Sequence, residues 1–271
     1  MAALPPRVLS IAGSDSGGGA GIQADLKTMC ALGCYGMTAI TSVTCQNTQG
    51  VYGVQDLPPA FVAEQVTRVL EDIGADAIKI GMLSNAPIIH AVADALERYR
   101  GLPVVLDPVM VAKSGDPLLR VDAQTALKER LLPLAALVTP NIPEAEALTA
   151  LSIADDASAR AAARALLDCG AAAVLIKGGH LSGPRVLDRL FTSNGEELAF
   201  ESERIDTANT HGTGCTLSSA IACHLAWGQV MKEAVRLATE YVHGAIQHAL
   251  PLGKGHGPLD HGWKDGRGER I

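Results

Sequence analysis

A polar, glycine-rich stretch at residues 206–220 has the composition of a loop that enters a helix and binds an anion. Gly212 and Gly214 have no Cβ atom, so backbone amides can approach a ligand closely there. The first amides of a helix lack internal partners and carry the positive end of the helix dipole, so such a terminus binds phosphate well. Cys215 lies where that field is strongest, which predicts a thiol with a lowered pKa that could serve as a base. The alternative interpretation is a capped core helix with a small buried cysteine.

Polar residues that could do chemistry also follow the predicted strands along the rest of the chain. They comprise two aspartates, an amide pair, a lysine and an asparagine–glutamate element, namely Asp15, Asp107, Gln46, Asn47, Lys177, Asn141 and Glu144. In open α/β sheets, ligands bind beyond the carboxyl ends of the strands, so these residues should meet the anion-binding loop in space. Loops are polar in any α/β domain, and it is the combination of residue types that indicates a site.

The elements that would position these residues alternate between apolar strands and amphipathic helices. The pattern predicts strands at residues 8–12, 37–45, 77–81, 103–106, 136–139 and 172–176, and helices at residues 22–32, 58–70, 86–99, 122–131, 143–151, 157–169, 213–227 and 231–248. Residues 186–192 and 197–201 flank Ser-Asn-Gly-Glu, which predicts a hairpin. The alternation predicts a mostly parallel sheet covered on both faces. No Pro/Ser-rich linker divides the chain, so we expect one domain over residues 1–271, with a loosely held tail from about residue 253.

The composition excludes several classes of function. Hydrophobic residues make up 48% of the chain and aromatic residues only 3%, which favours alanine- and leucine-rich helices on a sheet over an aromatic-rich β-sandwich. The net charge is −7 without a long basic run, so we expect no nucleic-acid partner. The six cysteines form no C-x-x-C pair, and no signal-like or membrane-spanning segment is apparent. We therefore expect a cytoplasmic protein with reduced thiols and no membrane partner.

The glycine loops do not match the commoner nucleotide-binding and nucleophile motifs. No G-x-G-x-x-G can be drawn through residues 13–21, and the chain contains neither G-x-x-x-x-G-K-[ST] nor G-x-S-x-G. These absences argue against a dinucleotide-binding fold, a P-loop protein and an α/β-hydrolase.

Five motifs together resemble one known family. They are GSDSGGGAGIQAD at residues 13–25, KSGD at 113–116, TPNIPE at 139–144, KGGH at 177–180 and HGTGCT at 211–216. In this order they resemble the hydroxymethylpyrimidine/phosphomethylpyrimidine kinases, the thiamin-biosynthetic branch of the ribokinase-like superfamily. The resemblance covers nearly the whole chain.

The resemblance implies a fold and an activity. The fold would be a three-layer α/β/α ribokinase-like domain with a mostly parallel central sheet. The activity would be ATP- and Mg²⁺-dependent phosphorylation of 4-amino-5-hydroxymethyl-2-methylpyrimidine and of its monophosphate, in a homodimer. The neighbouring pyridoxal kinase branch, or a dual-specificity enzyme, is the alternative within the fold. A catalytically silent vitamin-binding domain is the alternative from another class, which a full set of catalytic residue types disfavours.

The resemblance also implies roles for individual residues. The expected catalytic residues are Gly212, Thr213, Gly214 and Cys215, and the expected magnesium-binding residues are Asp107, Asn141 and Glu144. The expected nucleotide-binding residues are Asp107, Lys113, Asn141 and Lys177. The expected substrate-binding residues are Gly13, Asp25, Gln46, Met82 and Val109. Most of the superfamily has aspartate at the position of Cys215, whereas the pyrimidine-kinase branch has cysteine.

Structural interpretations of the same residues remain open at this point. Asn141 and Glu144 have the spacing of a capping box. Asp107 precedes a proline and could close a turn, and Lys177 could be a solvated strand end. Surface, turn or core roles are equally open for Asp25, Gln46, Met82 and Val109.

Overall fold

The protein is built on a mixed sheet. The computed structural model describes residues 4–112, 115–116, 118–119, 123–180 and 183–265 of the 271-residue chain. In those residues the strands are β1 (Arg7–Asp15), β2 (Tyr35–Gln46), β3 (Val51–Asp56), β4 (Ala77–Ile80), β5 (Val104–Leu106), β6 (Leu137–Val138), β7 (Ala173–Ile176), β8 (Arg185–Thr192) and β9 (Glu197–Glu203). Their order across the sheet is β3-β2-β1-β4-β5-β6-β7-β8-β9. The six strands from β2 to β7 in that order are parallel, and β3, β8 and β9 each pair antiparallel with the strand before them in the chain.

Helices cover both faces of this sheet. The described residues form α1 (Gly21–Ala31), α2 (Pro59–Asp72), α3 (Ala86–Leu96), α4 (Ala123–Ala126), α5 (Ile142–Thr149), α6 (Asp156–Asp168), α7 (Thr213–Ala226) and α8 (Met231–Gln247). One core lies between the sheet and α2 to α6, and the other lies between the sheet and α1, α7 and α8. The predicted three-layer α/β/α class is therefore confirmed. None of the helices in the described ranges is long and apolar enough to cross a bilayer.

Alternation along the strands fills both cores. In β1, Leu9 and Ile11 belong to the core under α2 and α3, while Val8 belongs to the core under α7 and α8. Both faces of a central parallel strand are thus buried, which explains the nearly continuous apolar runs in the sequence. Because the central strands are parallel, their carboxyl ends and the polar residues after them lie at one edge of the sheet.

The structure departs from the predicted elements at one edge of the sheet and in one helix. Strand β3 was not predicted, because it pairs at the sheet edge and is mostly exposed, with Tyr52 67% exposed. The predicted hairpin is confirmed by the antiparallel pairing of β8 with β9. The helix expected at residues 122–131 is regular only over α4, after which it continues as a wider π-type turn and a 3₁₀ turn that contains Pro133.

The C-terminal segment corrects one expectation. The expectation of a loosely held tail from about residue 253 is wrong for residues 259–261, because Leu259, Asp260 and His261 are buried. The Tyr241 hydroxyl donates to the carbonyl oxygen of His261 at 2.6 Å, and the Trp263 indole N–H donates to the carbonyl oxygen of Tyr241 at 3.1 Å. A polar, glycine-rich composition did not reveal this docking, since much of it uses backbone groups, which leave no pattern in the sequence.

Because the Trp263 ring packs on α8 at Gly244, we predict that replacing this glycine by alanine destabilises the protein. Glycine to alanine in a helix ordinarily stabilises by about 1 kcal/mol. A Cβ atom at Gly244 would overlap the Trp263 ring, so Gly244→Ala should lower the free energy of unfolding by about 1–3 kcal/mol. Urea unfolding measures this change. The control is the same substitution with Trp263→Ala, where it should stabilise. A stabilising Gly244→Ala with Trp263 present would contradict the docking.

Candidate active site

The start of α7 lies against the glycine loop that follows β1. Gly212, the residue before α7, has φ of 84°, in the left-handed region. A Cβ atom at this position would also overlap the carbonyl oxygen of Gly19. Glycine is therefore required at residue 212 both by conformation and by space. This close approach brings the loop at residues 13–21 and the first amides of α7 together at the carboxyl edge of the sheet.

Asp15 organises the glycine loop. Its Oδ1 accepts from the Gly17 amide at 2.8 Å, and its Oδ2 accepts from the amides of Gly19 at 3.0 Å and Ala20 at 2.8 Å. Nε2 of His211 lies 2.9 Å from the same Oδ2 and ties the loop to the start of α7. Burial acts against the charge on Asp15, but hydrogen bonds from His211 and these amides hold its pKa below the ordinary value. The pairing with His211 was missed, because local sequence patterns carry no signal for a contact across 196 residues.

The turn that enters α7 uses both polar groups of Thr213. Its hydroxyl donates to the carbonyl oxygen of Thr210 at 2.7 Å, and its amide donates to the same oxygen at 3.3 Å. A direct anion contact from Thr213 is therefore not supported, and the residue instead closes the turn. The amides of Gly214 and Cys215 are then the candidates for anion binding, because the geometry of a helix start leaves them without intrahelical partners.

A lysine and two carboxylates lie beside the start of α7: Asp107 follows β5, Lys177 follows β7, and Glu144 is on α5. Nζ of Lys177 lies 3.0 Å from Oδ1 of Asp107 and 3.8 Å from Oε2 of Glu144. Burial acts against the charge of Lys177, but the two carboxylates raise its pKa above the ordinary value. A Cβ atom at Gly214 would lie 3.3 Å from both Nζ of Lys177 and Oδ2 of Asp107, so the helix start directly adjoins this group. Four predicted site residues therefore meet in space.

Asn141 and Glu144 form a capping box as well as part of this charged group. Oδ1 of Asn141 accepts from the Glu144 amide at 2.9 Å, and Oε2 of Glu144 accepts from the Asn141 amide at 2.8 Å. Such reciprocal bonds satisfy two donors at the start of α5. Burial and the nearby Asp107 raise the pKa of Glu144 to about 7, against the lowering effect of Lys177. The structural role and a role in the site are thus compatible for Glu144.

Cys215 does not have the lowered pKa that its position predicts. Burial raises the pKa of its thiol to about 11, and the carboxylates of Asp25 and Asp107 act in the same direction. The ammonium of Lys79 and a hydrogen bond from the Gly21 amide lower it by less. The expectation of a partly ionised thiol at neutral pH is therefore wrong for this state of the site. The helix terminus is outweighed by desolvation, which sequence alone could not weigh.

Asp25 is not a substrate contact. Its side chain is fully buried, and its oxygens are bound by Lys79, Ser10 and Ser219. The substrate-side expectation is therefore wrong, because none of this carboxylate is accessible from the cleft. Lys79 was missed, although a signal existed: a lysine inside the apolar strand Ala77–Ile80 needs a buried partner of opposite charge.

Gln46 and Met82, two of the remaining substrate-side residues, adjoin the glycine loop. Gln46 ends β2. Its side-chain Oε1 accepts from the Thr44 hydroxyl at 3.2 Å, and its Nε2 lies 3.4 Å from Nε2 of His211. Sδ of Met82 lies 3.1 Å from where a Cβ atom of Gly13 would be, so these two residues adjoin. Val109, two residues beyond Asp107, is half-buried, and Lys113 lies outside the described residues.

The charged group suits magnesium only with help from a ligand. In the ranges that the structure describes, no cluster of three or more histidine, cysteine, aspartate or glutamate side chains could hold a metal ion. Asp107 and Glu144 supply two carboxylates beside the helix start. Mg²⁺ is commonly held by one or two carboxylates together with water and substrate phosphates, so this donor set fits it.

The family model and the sequence relatives agree on one family. The family model described as phosphomethylpyrimidine kinase matches residues 15–260. A hydroxymethylpyrimidine/phosphomethylpyrimidine kinase of Streptomyces coelicolor is 52% identical over 96% of this chain and 95% of its own length. The thiamine biosynthesis bifunctional protein ThiED of Geobacter sulfurreducens is 55% identical over 94% of this chain, which spans only 52% of that longer relative. The crystal structure of an ADP complex of Bacillus subtilis pyridoxal kinase superposes with a TM-score of 0.89 and 38% identity, covering 96% of this chain and 99% of that one.

The raised pKa of Glu144 predicts how stability depends on pH. A carboxyl whose pKa is raised on folding favours the folded state while protonated, and this contribution is lost as pH rises from about 4.5 through about 7. The glutamine of Glu144→Gln does not titrate, so the variant does not lose this contribution. Its free energy of unfolding, relative to that of the parent, should therefore rise by about 3 kcal/mol between pH 4.5 and pH 8. Urea unfolding across this range, with the exposed Glu129→Gln as control, measures the difference. A pH-independent difference for Glu144→Gln would contradict the assignment.

Proposed function

The chain belongs to the phosphomethylpyrimidine kinase family, and we propose that it uses ATP to phosphorylate 4-amino-5-hydroxymethyl-2-methylpyrimidine and then the monophosphate of that compound. The match of the family model to residues 15–260 supports this activity, and so does the name of the Streptomyces coelicolor relative. The ribokinase-like fold that the motifs implied is shared with the matching kinase structure.

One observation supports the proposal more than any other. The start of α7 meets the glycine loop on one side and the Lys177–Asp107–Glu144 group on the other. Phosphoryl transfer needs positioning and charge neutralisation more than covalent help. A helix terminus between a glycine loop, whose amides can approach a ligand closely, and a lysine suits a phosphoryl group in transit, and a binding domain without turnover would not need this arrangement.

Each group has a role that follows from its position. The amides of Gly214 and Cys215 hold the transferring phosphoryl group, and the ammonium of Lys177 neutralises charge on the nucleotide phosphates. Asp107 and Glu144 hold Mg²⁺ with water and phosphate oxygens, and the ion supplies neutralisation of the phosphate charge. Asp15 and His211 keep the glycine loop against the start of α7.

Cys215 contributes through its backbone rather than as a preformed base. The pKa of about 11 leaves the thiol protonated at neutral pH. Phosphoryl transfer has a loose transition state, which places little demand on a base. The proton of the substrate hydroxyl can therefore leave late in the reaction, after most of the bond to phosphorus has formed.

The second candidate activity is phosphorylation of pyridoxal. The similarity to the Bacillus subtilis pyridoxal kinase structure favours it, since both substrates carry a hydroxymethyl group on a heteroaromatic ring. Gln46 discriminates between them in our proposal. A primary amide offers an acceptor beside a donor, which complements the exocyclic N–H and ring nitrogen of an aminopyrimidine. Pyridoxal has a phenolic oxygen and no amino group at the corresponding edge.

The remaining features of the enzyme are proposals by family analogy. We propose a single domain that works as a cytoplasmic homodimer without nucleic-acid or membrane partners. The net charge of −7 is consistent with a small anionic substrate held by a local positive site rather than by long-range steering.

A single assay tests the activity. Purified protein is incubated with ATP, Mg²⁺ and one of three acceptors: the aminopyrimidine, its monophosphate or pyridoxal. ADP formation and product mass are both recorded. We expect turnover with the aminopyrimidine and its monophosphate, and a lower kcat/KM with pyridoxal. Turnover confined to pyridoxal would replace the first candidate by the second, and no turnover with any acceptor would reject both.

Metal dependence tests the carboxylates. Chelator should abolish turnover and added Mg²⁺ should restore it. Glu144→Gln should raise the Mg²⁺ concentration for half-maximal rate by about 10–100-fold, because groups that orient metal-bound water typically contribute that much affinity. Circular dichroism shows whether the variant keeps the fold. An unchanged Mg²⁺ titration in Glu144→Gln would leave this residue with its capping role alone.

Substrate choice tests Gln46. Gln46→Leu removes the two hydrogen bonds that the side-chain amide is proposed to make with the ring. It should reduce kcat/KM for the aminopyrimidine about 10–100-fold, with much less effect on pyridoxal or on the KM for ATP. Gln55→Leu, on the exposed face of β3, is a matched control that should change neither substrate. Equal losses for both rings in Gln46→Leu would show that Gln46 shapes the loop and does not distinguish the rings.

A further inference from the structure

A buried ion pair, Asp25–Lys79, contacts α7 behind the turn at residues 212–215, which we call the anion-binding turn, and neither of its residues has a role in the reaction proposed above. Nζ of Lys79, on β4, lies 2.8 Å from each carboxylate oxygen of Asp25, on α1. Both side chains have no exposed surface at all. Charged side chains are almost never fully buried unless they are paired, and each of these two supplies what the other needs.

The carboxylate of this pair is also bound by two hydroxyl groups. Ser10, on β1, donates to Oδ2 of Asp25 at 2.5 Å, and Ser219, on α7, donates to Oδ1 at 2.7 Å. The backbone leaves room for the ammonium, because a Cβ atom at Gly81 would lie 2.8 Å from Nζ of Lys79. Four elements, β1, α1, β4 and α7, therefore converge on one satisfied polar cluster.

A contribution to folding stability is not a sufficient reason for the presence of this cluster. Replacing a buried ion pair by apolar groups of similar volume is often neutral or stabilising, so the pair is weak evidence for a structural role. Its location is more informative. Ser219 follows Cys215 by four residues, so the two side chains lie on the same face of α7, one helical turn apart. The ion pair is thus joined to the catalytic helix directly behind the anion-binding turn.

Of the two charges in the pair, the ammonium of Lys79 has the larger effect on the pKa of the Cys215 thiol. Lys79 lowers the pKa of Cys215 by more than Asp25 raises it, as expected if the ammonium is the nearer charge. Cys215 in turn is among the groups that raise the pKa of Lys79. Asp107, which raises the pKa of the thiol, and the Gly21 amide, which lowers it, also act on Cys215. Lys177 acts on it as well, since Cys215 is among the groups that raise the pKa of Lys177.

We propose that Lys79, held in place by Asp25, is a positioning residue of the anion-binding turn whose buried ammonium favours negative charge at Cys215 and at a phosphoryl group bound beside it. A helix terminus carries only about half an elementary charge. A full charge fixed in a water-free site adds to it without reorganisation during the reaction. The consequence for catalysis rests on the proposed kinase function, whereas the effect on Cys215 does not.

Thiol reactivity tests the electrostatic part without any substrate. Iodoacetamide reacts with the thiolate, so the alkylation rate of Cys215 between pH 7.5 and 9 follows its ionised fraction. Peptide mass spectrometry isolates the Cys215 signal from the exposed thiols of Cys30, Cys45 and Cys169. The variant is D25N/K79M, which removes both charges and leaves neither partner buried alone. S219A is the matched control, because it removes one bond to Asp25 without changing charge.

The direction of the change distinguishes charge from packing. Loss of the ammonium should make Cys215 alkylation in D25N/K79M about three- to tenfold slower than in the parent, since nucleophilicity partly offsets the lost thiolate. S219A should stay within about twofold. A merely structural pair would give the opposite sign, because loosening α7 exposes the thiol and brings its pKa down toward the ordinary value. Faster or unchanged alkylation in D25N/K79M would therefore overturn the proposal.

Two further measurements keep the test decisive. If thermal melting shows that D25N/K79M is unfolded, D25N/K79Q carries the same test, because the glutamine amide can donate to the remaining cluster. Kinase turnover with the aminopyrimidine is measured in parallel and should fall about tenfold or more in the double variant. Absence of turnover in the parent would reject the kinase function, while the alkylation rates would still decide the role of Lys79.

Discussion

The site depends on one close approach, that of Gly212 to the carbonyl oxygen of Gly19. With φ of 84° and no room for a Cβ atom, residue 212 both ends a loop and starts α7 against the glycine loop after β1. Asp15 holds that loop through three amides and reaches His211 beside the turn. The helix start is consequently fixed at the carboxyl edge of the sheet before any ligand arrives, which is the preorganisation that charge stabilisation requires.

Opposite charges are distributed around this fixed turn. Lys177 lies on one side of it with Asp107 and Glu144, and Lys79 lies behind it with Asp25. Each ammonium is paired, so neither is left as an isolated charge in the interior. The carboxylates and burial together keep the Cys215 thiol protonated, with a pKa of about 11. The region is therefore suited to binding a phosphoryl group between amides and ammonium groups, rather than to generating a thiolate nucleophile or base.

Much of this could be predicted from sequence, and the exceptions have physical causes. Strand–helix alternation predicted the layers, and the position of polar residues after strands predicted that Asp107, Lys177 and the start of α7 would meet. The pKa of Cys215 could not be predicted, because desolvation depends on what packs around the thiol. The resemblance placed Asp25 in the substrate group, yet its position on α1 directs its carboxylate to Lys79. Strand β3 was missed because an edge strand needs no apolar pattern.

The central claim is that the transferring phosphoryl group is held by the first amides of α7. The most direct measurement is a crystal structure with ADP, Mg²⁺, aluminium fluoride and the aminopyrimidine, in which the fluoride complex takes the place of that group. We predict fluorine atoms about 2.7–3.1 Å from the amide nitrogens of Gly214 and Cys215, with the substrate hydroxymethyl group in line on the opposite side from ADP. A fluoride complex bound away from the start of α7, in a structure with both substrates ordered, would contradict the account.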